Sequence, residues 1–161
     1  MANAFFQVPT PVNEPVLSYA PDSPERAEVV AKLQELKSTQ TEIPMYIGGE
    51  KVYTDNKIEM HPPYEHAHIL GLYNQGNRGH VQQAVDAALA ARESWANMPW
   101  EERAAVFLRA ADLLAGPFRA KMNAATMLCQ SKNIYQAEID AVAELCDFFR
   151  FNVQYLTDIY K

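Results

Sequence analysis

QAEIDAVAELCDFFRFNVQYL, residues 136–156, carries two apolar stripes at helical spacing on opposite sides. With Val142 as reference and about 100° per residue, Leu145, Cys146, Phe149, Val153 and Leu156 fall within about 60° of one direction. That is a core stripe. On the far side, about 200° round, stand Glu144, Phe148, Phe151 and Tyr155, spaced i, i+4, i+7 and i+11. A helix apolar on two sides has to be covered on both. The helices before it can cover only one, so the aromatic side is expected to meet a partner or further chain beyond Lys161. The sequence also stops without a glycine or other helix stop signal, and the expectation is the front piece of a longer protein.

Working outward, Asn133 is placed to cap this last helix, which is predicted to run to the chain end. Three helices precede it. Val81, Ala84, Val85, Ala88, Ala91 and Trp95 form the face of the first, and Val106, Phe107, Ala110, Leu113 and Leu114 that of a second started by Pro99. Gly116-Pro117 ends the second. Pro117 is expected to open the third, with Phe118, Met122, Ala125 and Cys129 on its core side.

Eight of the ten prolines lie before residue 64, so the first part of the chain reads as irregular with short elements and the second as nearly all helix. Residues 1–20 read as an extended arm, because the prolines there prevent regular structure. Residues 21–76 read as a short helix, a hairpin and extended segments. The helix is capped by Asp22 or Ser23, carries Pro24 at its start and Val29, Leu33 and Leu36 at helical spacing, and ends near Lys37. Met45 to Tyr53 is a hairpin turning at Gly48-Gly49, and Ile58 to Leu72 is extended chain broken by Pro62-Pro63. Residues 77–161 are helical. The fold class is therefore mostly α with a small β-hairpin.

The 161 residues, 48% hydrophobic and 21% charged, suit a globular domain, and a net charge of −6 disfavours nucleic acid and anionic membranes. No window approaches the roughly 20 apolar residues of a membrane span. Two cysteines are too few for a disulfide framework, so a cytoplasmic location is expected. Gly71, Gly76 and Gly79 match neither a dinucleotide-binding fingerprint nor a phosphate loop. They read as loop glycines.

Several side chains have alternative uses. His66 and His68 beside Glu65 would offer two metal ligands on one side of a strand, but without a third ligand they read as surface or loop residues. Cys129 and Cys146 both sit on apolar faces, where burial raises a thiol pKa, and both read as core. Glu138 falls on the core stripe and needs a partner or a route to solvent. Asp140, Glu144 and Asp147 share one side of the helix, which reads as solvated acid rather than metal site. Asp147 with Arg150, and Glu101 or Glu102 with Arg103, read as surface pairs. Glu144 lies inside an aromatic stripe, where a carboxylate is costly unless it is paired, exposed or faces a wet cavity.

A resemblance bears on that choice. Asn13-Glu-Pro-Val-Leu17, Ser23-Pro-Glu-Arg26, Ala87-Ala-Leu-Ala-Ala-Arg92 with Trp95, Arg109-Ala-Ala-Asp112 with Gly116-Pro117, and Gln130-Ser-Lys132 each match one family. So do Gln136-Ala-Glu-Ile-Asp-Ala141, Glu144-Leu145 and Asp147-Phe-Phe-Arg-Phe-Asn152. Together they resemble the N-terminal part of the L-glutamate γ-semialdehyde (1-pyrroline-5-carboxylate) dehydrogenases, a branch of the aldehyde dehydrogenase superfamily. The resemblance implies the N-terminal segment of an α/β aldehyde dehydrogenase-like fold, with residues 77–161 on the cofactor-domain side. It also implies NAD-dependent oxidation of glutamate γ-semialdehyde to glutamate in proline breakdown, by a homo-oligomer.

In that family a cysteine thiolate attacks the aldehyde, an asparagine and a backbone N–H stabilise the oxyanion, and a glutamate activates water. The resemblance places those groups, and the NAD site, beyond Lys161, so neither Cys129 nor Cys146 inherits the nucleophile role and the segment alone is expected to be inactive. Glu144 matches the family's glutamate at the amino-acid end of the substrate pocket. Phe148 and Phe151, by helical spacing, would wall that pocket. A helical interaction module that binds a partner or itself through its last helix is the competing expectation.

Overall fold

The computed structural model describes residues 6–160; the first five residues of the expected arm and the helix end at Lys161 lie outside the described residues. Residues 6–20 run without regular structure, as the proline spacing predicts. Tyr19 (φ 51°) and Asp22 (φ 61°) then turn the chain in the left-handed region into α1, Pro24–Ser38. Ser23 is the cap, its Oγ accepting from the Arg26 N–H at 3.4 Å. Val29 buries against Tyr19 and Ala124, with Leu33 and Leu36 beside it.

The β structure is larger than the expected hairpin. The hairpin itself is β2 (Met45–Ile47) and β3 (Glu50–Val52), turning through Gly48 at φ 61° and Gly49 at φ 87°, the two positive values a type I′ turn demands. A second sheet of three strands, in the order β1-β5-β4, joins β1 (Thr41–Ile43), β4 (Lys57–Met60) and β5 (Gly71–Asn74). β1 runs parallel to β5, with Thr41 opposite Gly71, and β4 runs antiparallel to it. A Cβ on Gly71 would stand 2.2 Å from the Thr41 carbonyl oxygen, so only glycine admits β1 at this distance. β1 has three residues and a partner thirty positions away, and no local alternation announces it. The expected extended run from 58 to 72 is strand only at its ends, because turns closed by Glu65 and His68 N–H donations occupy its middle.

Four long helices carry the rest. α2 is Arg78–Asn97, α3 Trp100–Ala115 and α4 Arg119–Gln130. The last helix, entered through a reciprocal cap between Asn133 and Gln136, is α5 (Ile134–Ala137), a π-helical turn Glu138–Ala143, and α6 (Glu144–Tyr160). α3 packs on α6, and α1 packs on α4. The expected core stripe holds: Val142, Cys146 and Val153 are buried, with Leu114 of α3 against the first two.

Three details depart from expectation. α2 buries no residue, and Val81, Val85, Leu89 and Trp95 are exposed, so its apolar face is uncovered within these residues. Pro117 lies in the turn before α4, which starts two residues later with Phe118 at its cap. α4 buries Asn123, Ala124, Thr126 and Leu128 instead of the side holding Phe118, Met122, Ala125 and Cys129. Cys129 is consequently exposed, and only Cys146 is a core thiol. The hydrophobic pattern mispredicts this face because α4 turns a polar side chain, Asn123, into the interior.

Candidate functional site

The π-helical turn places the site. In it the Glu144 N–H donates to the Ile139 carbonyl five residues back, so the helix is widened by one residue immediately before α6 begins. At the first residue of the turn, Glu138 is buried. Downstream, Glu144 is exposed, and α6 presents Phe148, Phe151 and Tyr155 on the same side as Glu144.

These four residues line one open cleft of about 510 Å³, together with Asn152, Asp147 and Asn13. The structure thus brings together Glu144, Phe148 and Phe151 as the spacing predicted. Phe148 is 55% exposed and Tyr155 57%, which leaves rings available to a bound group. Phe149 belongs to α6's other side, tilted against Phe107 at 6.0 Å between ring centres. Glu144 has no salt bridge among the described residues, so its carboxylate is neither buried nor paired here, and it faces the cleft.

Asn13 comes from the arm, and a buried polar cluster holds the arm in place. Glu138 is wholly buried, and its two carboxylate oxygens accept from the Leu17 N–H (2.9 Å), the Tyr19 hydroxyl (2.8 Å), Asn123 Nδ2 (2.8 Å) and Arg119. Arg119 also donates to the Pro15 carbonyl at 2.6 Å and to Glu14 Oε1 at 2.5 Å, while Arg150 donates to Glu14 Oε2 at 2.7 Å. Burial drives the Glu138 carboxyl upward, but the Arg119 guanidinium and the three other donors outweigh it and hold the group below its usual value. Burial and the neighbouring Glu138 carboxylate push the Tyr19 phenol well above its usual range. Arg119 is raised: burial opposes its charge, and the two glutamates more than restore it.

Other expected pairings are replaced. Asp147 does not pair with Arg150; its two oxygens accept from Asn13 Nδ2 and the Glu14 N–H, both at 2.6 Å. Arg103 does not pair with Glu101 or Glu102 but donates to the Tyr160 hydroxyl at 2.6 Å, where Tyr160 stacks on Trp100. Asp140 is bound to Lys132 at 2.6 Å, away from the cleft. His66 and His68 share no strand: His66 is exposed, and His68 Nε2 lies 2.9 Å from the Lys37 carbonyl in a turn-rich loop. No group of three His, Cys, Asp or Glu among the described residues is arranged to hold a metal ion. Sequence reading missed Asn13, Glu14, Tyr19, Arg119 and Asn123; the usable signal was Glu138, a carboxylate on a core stripe that required a partner.

The one glycine-flanked helix start, at α2, is closed by a reciprocal cap in which Asn77 Oδ1 takes the His80 N–H and His80 Nδ1 takes the Asn77 N–H. A Cβ on Gly76 would meet the Met45 Sδ at 2.9 Å, the end of a flexible side chain. Burial raises both thiols, Cys129 and Cys146, which is the opposite of what a nucleophile requires.

Residues 51–161 match the aldehyde dehydrogenase family. The chain is 49% identical over 158 residues to the delta-1-pyrroline-5-carboxylate dehydrogenase of Agaricus bisporus, covering 98% of this chain and 29% of that protein. It is 43% identical over 147 residues to the mitochondrial enzyme of that name from Homo sapiens, covering 91% of this chain and 26% of the relative. Among solved structures, the Mycobacterium tuberculosis delta-pyrroline-5-carboxylate dehydrogenase bound with NAD and cobalamin superposes with a TM-score of 0.96 at 50% identity, over 99% of this chain and 30% of that one. The chain spans less than a third of the length of the relatives it matches.

Proposed function

The chain belongs to the aldehyde dehydrogenase family, and from that premise we propose that it serves NAD-dependent oxidation of L-glutamate γ-semialdehyde to L-glutamate in proline catabolism. Its part is to recognise the amino-acid end of the substrate. The observation that carries this reading is the cleft in which Glu144 stands exposed among Phe148, Phe151 and Tyr155. An exposed carboxylate flanked by rings suits an ammonium group on a short aliphatic chain: the charge is answered by Glu144 and the methylenes by the rings. NAD and the reacting groups are assigned in this reading to the parts of the relatives outside the matched segment, which covers less than a third of their length.

Homo-oligomeric assembly is part of the same reading, supported by the uncovered face of α2. No helix among the described residues is long and apolar enough to cross a membrane. Two free cysteines suit a reducing compartment. The cytoplasm is our reading of location, although the human and mouse relatives are named mitochondrial.

A chimera tests the function. These 161 residues replace the matching part of the M. tuberculosis enzyme, and the product is assayed for semialdehyde-dependent NAD reduction. Activity is expected. Glu144→Ala in the chimera raises KM for the semialdehyde about ten-fold and leaves KM for NAD unchanged. A chimera that binds NAD but does not oxidise the semialdehyde overturns the function, and an unchanged KM in the variant overturns the role of Glu144.

A further inference from the structure

Asn13 reaches the same cleft as Glu144 from a different part of the chain. Its amide nitrogen is engaged. Nδ2 donates to Asp147 Oδ2 at 2.6 Å, and an ionised carboxylate can only accept, so the amide oxygen is turned away from Asp147 and keeps its capacity to accept. The arm around it is fixed, since Asp147 Oδ1 takes the Glu14 N–H and the Glu14 carboxylate is held by Arg119 and Arg150. The lining of this cleft thus offers the Glu144 carboxylate and Asn13, whose amide oxygen keeps its capacity to accept, between aromatic walls. A group that offers several donors and a positive charge satisfies both.

We propose that Asn13 is a second recognition residue for the substrate's α-ammonium group, and that the N-terminal arm is built into the substrate site as one of its walls. The inference rests on the reading of Glu144 given above. It turns the arm from a surface strap into a specificity element. Asp147 is then a positioning residue, acting on substrate through the Asn13 amide.

The test uses the chimera and two aldehydes: L-glutamate γ-semialdehyde and glutarate semialdehyde, which has the same chain without the amino group. Asn13→Ala is expected to reduce the preference for the amino aldehyde, as a ratio of kcat/KM values, about ten-fold. Glu144→Gln is expected to reduce the same ratio. A strap that merely loosens would lower kcat/KM for both aldehydes alike, and an unchanged ratio in Asn13→Ala with a reduced ratio in Glu144→Gln overturns the proposal while the function stands. Unchanged ratios in both variants overturn the Glu144 reading as well. A urea unfolding curve for Asn13→Ala matching the parent confirms that the ratio is read on folded enzyme.

Discussion

Arg119 on α4 clasps the fully buried carboxylate of Glu138 at the start of the π-helical turn, and its Nε donates to Glu138 Oε1 at 3.1 Å. With its other nitrogens Arg119 takes Glu14 and the Pro15 carbonyl, so one side chain fastens the arm, α4 and the last helix. Removing one partner of such a cluster leaves a charge in the interior without compensation. Arg119→Met is therefore expected to cost about 3–5 kcal/mol. Glu138→Gln should cost less, because the amide still accepts from the Leu17 N–H and Arg119 keeps Glu14. Urea unfolding of the two variants and of the double variant measures this. A double variant no more stable than Arg119→Met alone would show that the unpaired carboxylate is not the source of the loss.

The same carboxyl sets a pH dependence. Its folded value lies below the usual one, so in the window between the two the unfolded chain binds more protons. The stability it contributes is fully present above the unfolded-chain value of about 4.3 and is lost as pH falls through the lower folded value. Unfolding free energies measured from pH 6 down to pH 3 should fall more steeply for the parent than for Glu138→Gln. Equal slopes would mean that other carboxylates dominate acid unfolding.

What could be read from sequence divides along the range of the interactions. The hairpin turn at Gly48-Gly49, the caps at Ser23 and Asn133, and the Glu144, Phe148, Phe151 set are all specified within a dozen residues, and all were legible. β1, paired to Gly71–Tyr73, and the arm, bonded to Asp147, Arg119 and Glu138, depend on partners far along the chain and left no periodic trace. The buried side of α4 was misassigned for a different reason: it is chosen by hydrogen bonding at Asn123, which an apolar pattern does not register. The π-helical turn offsets the angular register across it by about one residue, and no local apolar pattern between Glu138 and Ala143 marks where that happens.

The two thiols provide a check on the packing of α4 and α6. Cys129 is exposed, while Cys146 is buried and its Sγ lies 3.6 Å from the Ala111 carbonyl. A thiol-specific chromogenic reagent should label one cysteine in the folded protein and both in denaturant. Desolvation raises both thiols, so even Cys129 should react more slowly at neutral pH than a free thiol of ordinary pKa. Cys129→Ser should abolish the labelling of folded protein. If labelling persists through Cys146, the α3 and α6 contact is looser than described.

The π-helical turn predicts an unusual tolerance to deletion. A regular helix that loses one residue rotates everything beyond the deletion by about 100°, which in α6 would carry Thr157 and Leu156 off their present sides. Across Glu138–Ala143 the helix already holds one residue more per turn than an α-helix, with Glu144 bonded to Ile139 in place of Asp140. Deleting the half-buried Ala141 closes this turn to ordinary α geometry and leaves Glu138 and the Val142, Cys146, Val153 stripe close to their present directions. The deletion is therefore expected to cost about 1–2 kcal/mol, the range of an ordinary single substitution, whereas deletion of Gln154 in regular α6 should be far more damaging. Thermal and urea unfolding of the two deletions decide the matter. Equal damage from both would mean that the widened turn is not a one-residue insertion in an otherwise continuous helix.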